Sequence, residues 1–304
     1  MQKFIEDTQY LLSVDFVQVS LVATVLLGIL SGVMSSVIVL RQMSFSVHAT
    51  SELALMGAAA ALLFGLNIGL GAVAGAVVAA IVLALLGMKG QQDSAVGVVM
   101  SFGMGLSVLF LHLYPGNSST AMSLLMGQIV GVSRDSLNLL AVTTVFVVAA
   151  VIIFWRPLLF ASADPVMARA AGVPVGAITV FFAVLVGLAS AQSVQIVGAL
   201  LVMALLITPG AAAVQITSSP VRAVLWSTLF AFVSSVGGLI LSLAPGVPVS
   251  VFVATISFVI YLVCRIIGSV RKRGASRDEA AYTKRVHTHD EGRHPHPGEE
   301  RKVR

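Results

Sequence analysis

Apolar residues run along this chain in long blocks, each separated from the next by a short polar turn. The blocks fall at about 16–40, 44–66, 68–88, 94–114, 136–154, 175–191, 195–217, 221–243 and 248–268. Each is close to the roughly 20 residues that cross a hydrocarbon core as a helix. The runs Phe16 to Leu40, Ile68 to Met88, Val194 to Ile216 and Val249 to Ile267 are apolar on every face and rich in Ala, Leu and Gly. A membrane β-barrel instead needs segments of about ten residues that alternate apolar and polar. The pattern predicts an all-α, polytopic transmembrane bundle of about nine spans. Thr120 to Val132 is apolar but too short to cross, and reads as a re-entrant half-helix at the outer face.

The polar positions orient this bundle. Arg41, Lys89, Arg156 with Arg169, Arg222 and everything from Arg265 onward fall on one side. The turns at Asn67, Tyr114–Ser118, Gln192–Ser193 and Pro245–Val247 carry no Lys or Arg and fall on the other, with Arg134 the exception. Positive charge marks the cytoplasmic side, so the N-terminus is expected outside and the C-terminus in the cytoplasm. The expected organisation is an extracytoplasmic segment over 1–15, a permease domain over 16–269 and a disordered, His-rich, basic cytoplasmic tail over 270–304.

Composition agrees with a bilayer as the solvent. The 304 residues are 58% hydrophobic and 10% charged, where a soluble chain carries roughly 25% charged residues. The net charge of +5 does not mark a nucleic-acid surface, because from Arg265 there are eleven Lys/Arg to six Asp/Glu and the excess belongs to the tail. A stretch with Lys3 followed by Glu6, Asp7 and Asp15 lacks the positive n-region of a signal peptide, so the first block reads as a retained helix. Cys264 is the single cysteine and leaves no intrachain disulfide. GxxxG spacing at Gly28/Gly32, Gly65/Gly69, Gly71/Gly75 and Gly127/Gly131 predicts close helix packing.

Ionisable side chains inside lipid are costly, so those within a span are candidates for function. His48 and Glu52 lie four residues apart in the second block and therefore share a helix face. An imidazole nitrogen beside a carboxylate oxygen suits zinc or manganese. Two readings fit this spacing: the pair seeds a metal pathway, or the two side chains bond each other or a neighbouring helix. His112, beside Tyr114, reads as interfacial. Gln192, Gln195, Thr208 and Gln215 are further polar groups at membrane depth, and Pro209 frees the carbonyl of Leu205, as expected where a broken helix lines a cavity or is buried by neighbours.

Asp164-Pro165 through Ala168, Arg169 and Gly172 reads as a short capped helix on the cytoplasmic side, suited to docking a separate motor. His287, His289, His294 and His296, among carboxylates in the tail, offer a metal site or a solvated linker. No GxxxxGK[ST] is present, so ATP, if used, binds another chain.

Taken together, Arg41-Gln-Met-Ser-Phe with the His48/Glu52 helix, Asp93-Ser-Ala-Val-Gly-Val, Asp164-Pro…Ala168…Gly172 and Val197–Ala213 resemble the zinc/manganese ABC-transporter permease family, in order, over about residues 15–268. The resemblance implies a multi-pass permease of a prokaryotic cytoplasmic membrane that imports zinc, manganese or iron. It implies no catalysis by this chain and no cofactor. Two cytoplasmic ATPase subunits, an extracytoplasmic metal-binding protein and a second permease copy are the implied partners, beside membrane lipid and without nucleic acid. Asp164, Ala168, Arg169 and Gly172 would form the coupling helix. In the commonest form of the family the positions of His48 and Glu52 hold Asp and then His, so here the ligand types are exchanged on the same face. Other readings are import of a metal chelate, an ion-coupled secondary carrier with Glu52 as proton relay, and a membrane metal-dependent hydrolase. A carrier would show inverted repeats, which are not apparent, and a hydrolase needs a third ligand, with no HExxH present.

Overall fold

The computed structural model of the chain describes residues 14–87, 92–117, 124, 127, 132–243 and 248–291. Helices follow one another as α1 Asp15–Leu40, α2 Ser44–Leu63, α3 Ile68–Gly87, α4 Gln92–Leu113, α5 Arg134–Ile153, α6 Trp155–Ala163, α7 Pro165–Ala170, α8 Val175–Val197, α9 Val202–Leu206, α10 Thr208–Ile216, α11 Pro220–Leu243 and α12 Val249–Glu291. Among the described residues, eight of these are long and apolar enough to cross a membrane, namely α1–α5, α8, α11 and α12. The all-α bundle expected from the apolar blocks is therefore present. α12 continues as helix to Glu291, through a stretch whose Lys, Arg, Glu and Ala content favours helix without any core. Residues 1–13 of the expected N-terminal segment, nearly all of the half-helix at 120–132 and the end of the tail fall outside the described residues.

The turn expected at Gln192–Ser193 is not there. α8 runs through both residues to Val197, and both are fully buried in it. Ser193 stays helical by donating its hydroxyl to the Ala189 carbonyl at 2.8 Å, the usual accommodation of a hydroxyl in a buried helix. The chain breaks instead at Gly198, whose φ of +84° is one that side-chain-bearing residues rarely adopt. A 3-10 turn over Ala199–Leu201 leads into the two short helices α9 and α10. The span expected at 195–217 is thus a broken stretch, interrupted at Ile207 just before Pro209. Its loose backbone is partly satisfied from another helix: Gly210 donates its N–H to Ser35 Oγ of α1 at 2.7 Å.

α1, α2 and α8 form the centre. α1 packs on α11, α10 and α5, α2 on α3 and α4, and α8 on α3, α2, α1 and α5. Leu27, Leu30, Met34, Phe182, Leu185 and Leu205 are completely buried between them. Glycine sets the closest approaches, as the GxxxG spacing predicted for α1 and α3. A side chain on Gly32 would strike the backbone of Thr228 in α11, and Ser227 donates to the Gly32 carbonyl at 2.8 Å. On α3, Gly71 and Gly75 face Gly57 of α2 with no room for a methyl group. Arg134 and Asp15 form an exposed ion pair at 3.5 Å. Arg134, the exception to the charge pattern, is thereby paired at the end of the bundle where α1 begins.

Candidate functional site

The second helix carries most of the chemistry. Residues 41–43 turn tightly, with Gln42 at φ +55° and Met43 donating its N–H to the Ile38 carbonyl at 3.0 Å. α2 therefore starts directly beside the end of α1, and His48 and Glu52 come one and two turns into it. Glu52 is only 8% exposed and His48 is half-buried. Nδ1 of His48 is buried and accepts or donates no hydrogen bond among the described residues. The two side chains stand one helical turn apart on the same face of α2.

Neighbouring helices enclose this segment. Thr50 donates to the Ser46 carbonyl and lies 3.5 Å from Ser190 Oγ of α8. Ser107 of α4 donates to its own Gly103 carbonyl at 2.7 Å and approaches the Glu52 carbonyl at 3.5 Å. Hydroxyls that bond backward along their own helices need no partner elsewhere, which lets a polar helix sit inside the bundle. The His48 nitrogen is the group left uncommitted. A nitrogen and a carboxylate on one face can ligate a borderline divalent metal. Among the described residues no group of three or more His, Cys, Asp or Glu gathers to hold one. The pair alone supplies one nitrogen and one carboxylate on a single helix face.

The other polar residues at membrane depth are scattered. Gln192 is wholly buried in α8 with neither amide atom bonded, while Gln195 donates to Ser136 Oγ of α5 at 3.1 Å. Thr208 and Gln215 are half-buried in α10. His112 is exposed in the last turn of α4. Backbone at His287 and His289 belongs to α12, and His294 and His296 lie outside the described residues.

α7 has the caps that its sequence announces. Asp164 accepts hydrogen bonds from the N–H groups of Val166 and Met167 at 3.0 and 2.9 Å, and Pro165 occupies the first helical position, where its missing N–H costs nothing. At the other end Val173 donates to Ala168 O and Gly172 to Arg169 O, with Gly172 at φ +81°. This is the paired closure that a left-handed glycine permits. Ala168 is fully buried and anchors the helix, whereas Val166, Met167 and Arg169 face outward.

Arg41, which marks orientation by its charge and opens the motif Arg41-Gln-Met-Ser-Phe, is also a structural centre. Its guanidinium donates to Thr179 Oγ1 of α8 at 3.1 Å and to Ser162 Oγ of α6 at 3.5 Å, and lies 5.1 Å over the Phe182 ring. Nothing local in Leu40–Met43 signals that embedding, since all three partners are more than a hundred residues away in the chain.

A family model described as the ABC 3 transport family matches residues 13–268. The manganese transport system membrane protein MntC of Listeria innocua is 33% identical over 256 residues, covering 82% of this chain and 91% of that protein. The protein of the same name from Halalkalibacterium halodurans is 32% identical over 76% of this chain and 80% of its own length. The high-affinity zinc uptake system membrane protein ZnuB of Haemophilus influenzae is 26% identical, over 73% and 86%. Among solved structures, PsaBC from Streptococcus pneumoniae in complex with Fab superposes with a TM-score of 0.77 at 26% identity, covering 86% of this chain and 94% of that one.

Proposed function

The chain belongs to the ABC 3 transport family, and we propose that it is the multi-pass permease subunit of an ATP-driven importer in a bacterial cell membrane, with manganese or zinc as its cargo. The observation that carries the cargo is the buried Glu52 beside His48, whose Nδ1 has no partner among the described residues, on the least apolar of the described spans. Names of the similar proteins, two manganese systems and one zinc system, support the same ion class. Since the pair offers two ligands, water or a second copy of the chain completes the metal's shell. The metal is substrate here, passed along and not retained.

This chain carries no phosphate-binding loop, so hydrolysis falls to a separate cytoplasmic ATPase subunit. α7 suits its docking: a doubly capped helix, anchored by Ala168 and presenting Val166 and Met167. An extracytoplasmic metal-binding protein would deliver the ion at the opposite end.

Two experiments test the reading. Replacing His48 or Glu52 with Ala should lower metal accumulation by more than about ten-fold, the loss of one charged ligand, with membrane insertion unchanged; normal uptake by both variants would remove them from the pathway. A cysteine in place of Arg169 should react with impermeant reagents only from the cytoplasm, and labelling from outside would reverse the topology.

A further inference from the structure

At the end of the bundle where α1 stops, α2 and α8 start and α7 lies across, a cavity of about 780 Å³ opens between the helices. Two arginines line it, Arg41 from the α1–α2 turn and Arg169 from α7, and none of its lining residues is a carboxylate. Arg41 is half-buried and Arg169 exposed. The ion pair between Arg134 and Asp15 belongs to the other end, so among the described residues nothing neutralises this pair of cations.

The bonds that Arg41 does make hold it without compensating its charge. Thr179 and Ser162 spend their own protons on the carbonyls of Val175 and Leu158, so each accepts from the guanidinium as a neutral oxygen. Of five N–H donors, these two are the ones bonded among the described residues, which leaves others for a ligand in the cavity. Phe182 fixes the plane from below. Burial works against the charge, drawing the Arg41 pKa down from the ordinary arginine value, and an anion in the cavity would offset that cost. Pre-oriented guanidinium donors match tetrahedral phosphate oxygens, and basic pockets between spanning helices are suited to acidic headgroups. The remaining wall is mixed: Gln42, Ser46 and Thr50 line it together with an apolar side from Leu83, Ala84, Ala183 and Val186, and Leu40, also in the lining, is 36% exposed. A carboxylate from a protein partner would leave most of this volume empty. A phosphate with a glycerol backbone and the start of an acyl chain uses both the polar and the apolar wall.

We propose that this cavity is a binding site for the headgroup of an anionic phospholipid, its phosphate held between Arg41 and Arg169. The site is separate from His48 and Glu52 and does not depend on the cargo or on transport. Bound lipid would tie the α1–α2 turn to α6, α7 and α8.

Native mass spectrometry of the full chain, released from detergent with phosphatidylglycerol or phosphatidylcholine added, reads the site directly. Wild-type protein should retain phosphatidylglycerol and not phosphatidylcholine, and Arg41→Gln should lower that retention roughly ten-fold, with Arg41→Lys between them because it keeps charge without the fork. If Arg41→Gln does not yield folded protein, Arg169→Gln, at an exposed position, should still lower retention several-fold. Equal retention by wild type and folded variants, or equal retention of the two lipids, would overturn the site. Displacement of the lipid by millimolar inorganic phosphate would overturn it in favour of a free-anion site, and expulsion by an added ATPase subunit in favour of a protein-docking cavity.

Discussion

α2 and α4 touch each other and are near-opposites. α2 is the least apolar of the eight spans, with Ser46, His48, Thr50, Ser51 and Glu52 in its first half, yet 67% of its spanning window is buried. α4 is more apolar and only 17% of its window is buried, with Val98, Phe102, Met104 and Val108 more than half exposed. In water that assignment would be inverted. Where the solvent is hydrocarbon, apolar side chains gain nothing by leaving it, and polar ones go where protein supplies partners. Between these two helices burial follows polarity and close backbone packing, and the candidate site sits on the polar, enclosed helix.

The comparison can be broken at its packing. Gly57→Leu in α2 should collide with the backbone of Gly71 and Gly75 and cost about 3 kcal/mol or more, as overpacking without room to relax does. Gly97→Leu in α4, where nothing lies within 4 Å, should change stability by less than about 0.5 kcal/mol. Thermal unfolding in detergent measures both, and similar losses would mean that α4 is enclosed as tightly as α2. The next largest effect concerns charge. A carboxylate on the outward face of α4, as in Val108→Glu, should reduce membrane insertion by roughly 2.5–3.5 kcal/mol, although Glu52 is carried by α2. Efficient insertion of that variant, seen as undiminished yield in the membrane fraction, would show that α4 faces protein or water.

Smaller effects sharpen the contrast. Thr50→Val removes a hydroxyl that bonds its own helix and approaches Ser190; a loss of about 0.6 kcal/mol, typical of such bonds in membranes, is expected in unfolding. The smallest change in transport is expected from the tail. Truncation after Lys272 should leave uptake competent while altering its response to metal load, because the four histidines lie beyond the last span. Zinc binding by the tail should weaken as pH falls through roughly 6.5, since a protonated imidazole has no lone pair to give. Calorimetry on the 271–304 peptide, and uptake curves of truncated and intact protein, check both parts.

Much of this was legible in the residues because it is local. The apolar blocks, the caps of α7 at Asp164 and Gly172, and the shared face of His48 and Glu52 each depend on neighbours within a few positions. The break between the sixth and seventh blocks falls elsewhere than expected for the same reason: Gln192 and Ser193 look like a turn locally, but both are buried inside the bundle as helix, and Gly198 supplies the positive-φ backbone. Gly57 has no glycine four residues away, so its role as the contact between α2 and α3 could not be read from its own helix.

By itself, then, the sequence determined that this chain lives in a bilayer, that it does so as helices, and which helix carries a nitrogen and a carboxylate. Only the tertiary structure decided that Ser35 would satisfy the broken backbone at Gly210 and that Arg41 would be held by Ser162 and Thr179 beside a cavity with no carboxylate among its described lining residues. Span formation answers to solvent and to neighbours one turn away. Those contacts join residues 121 to 175 positions apart, and no local pattern encodes which distant helix will arrive beside them.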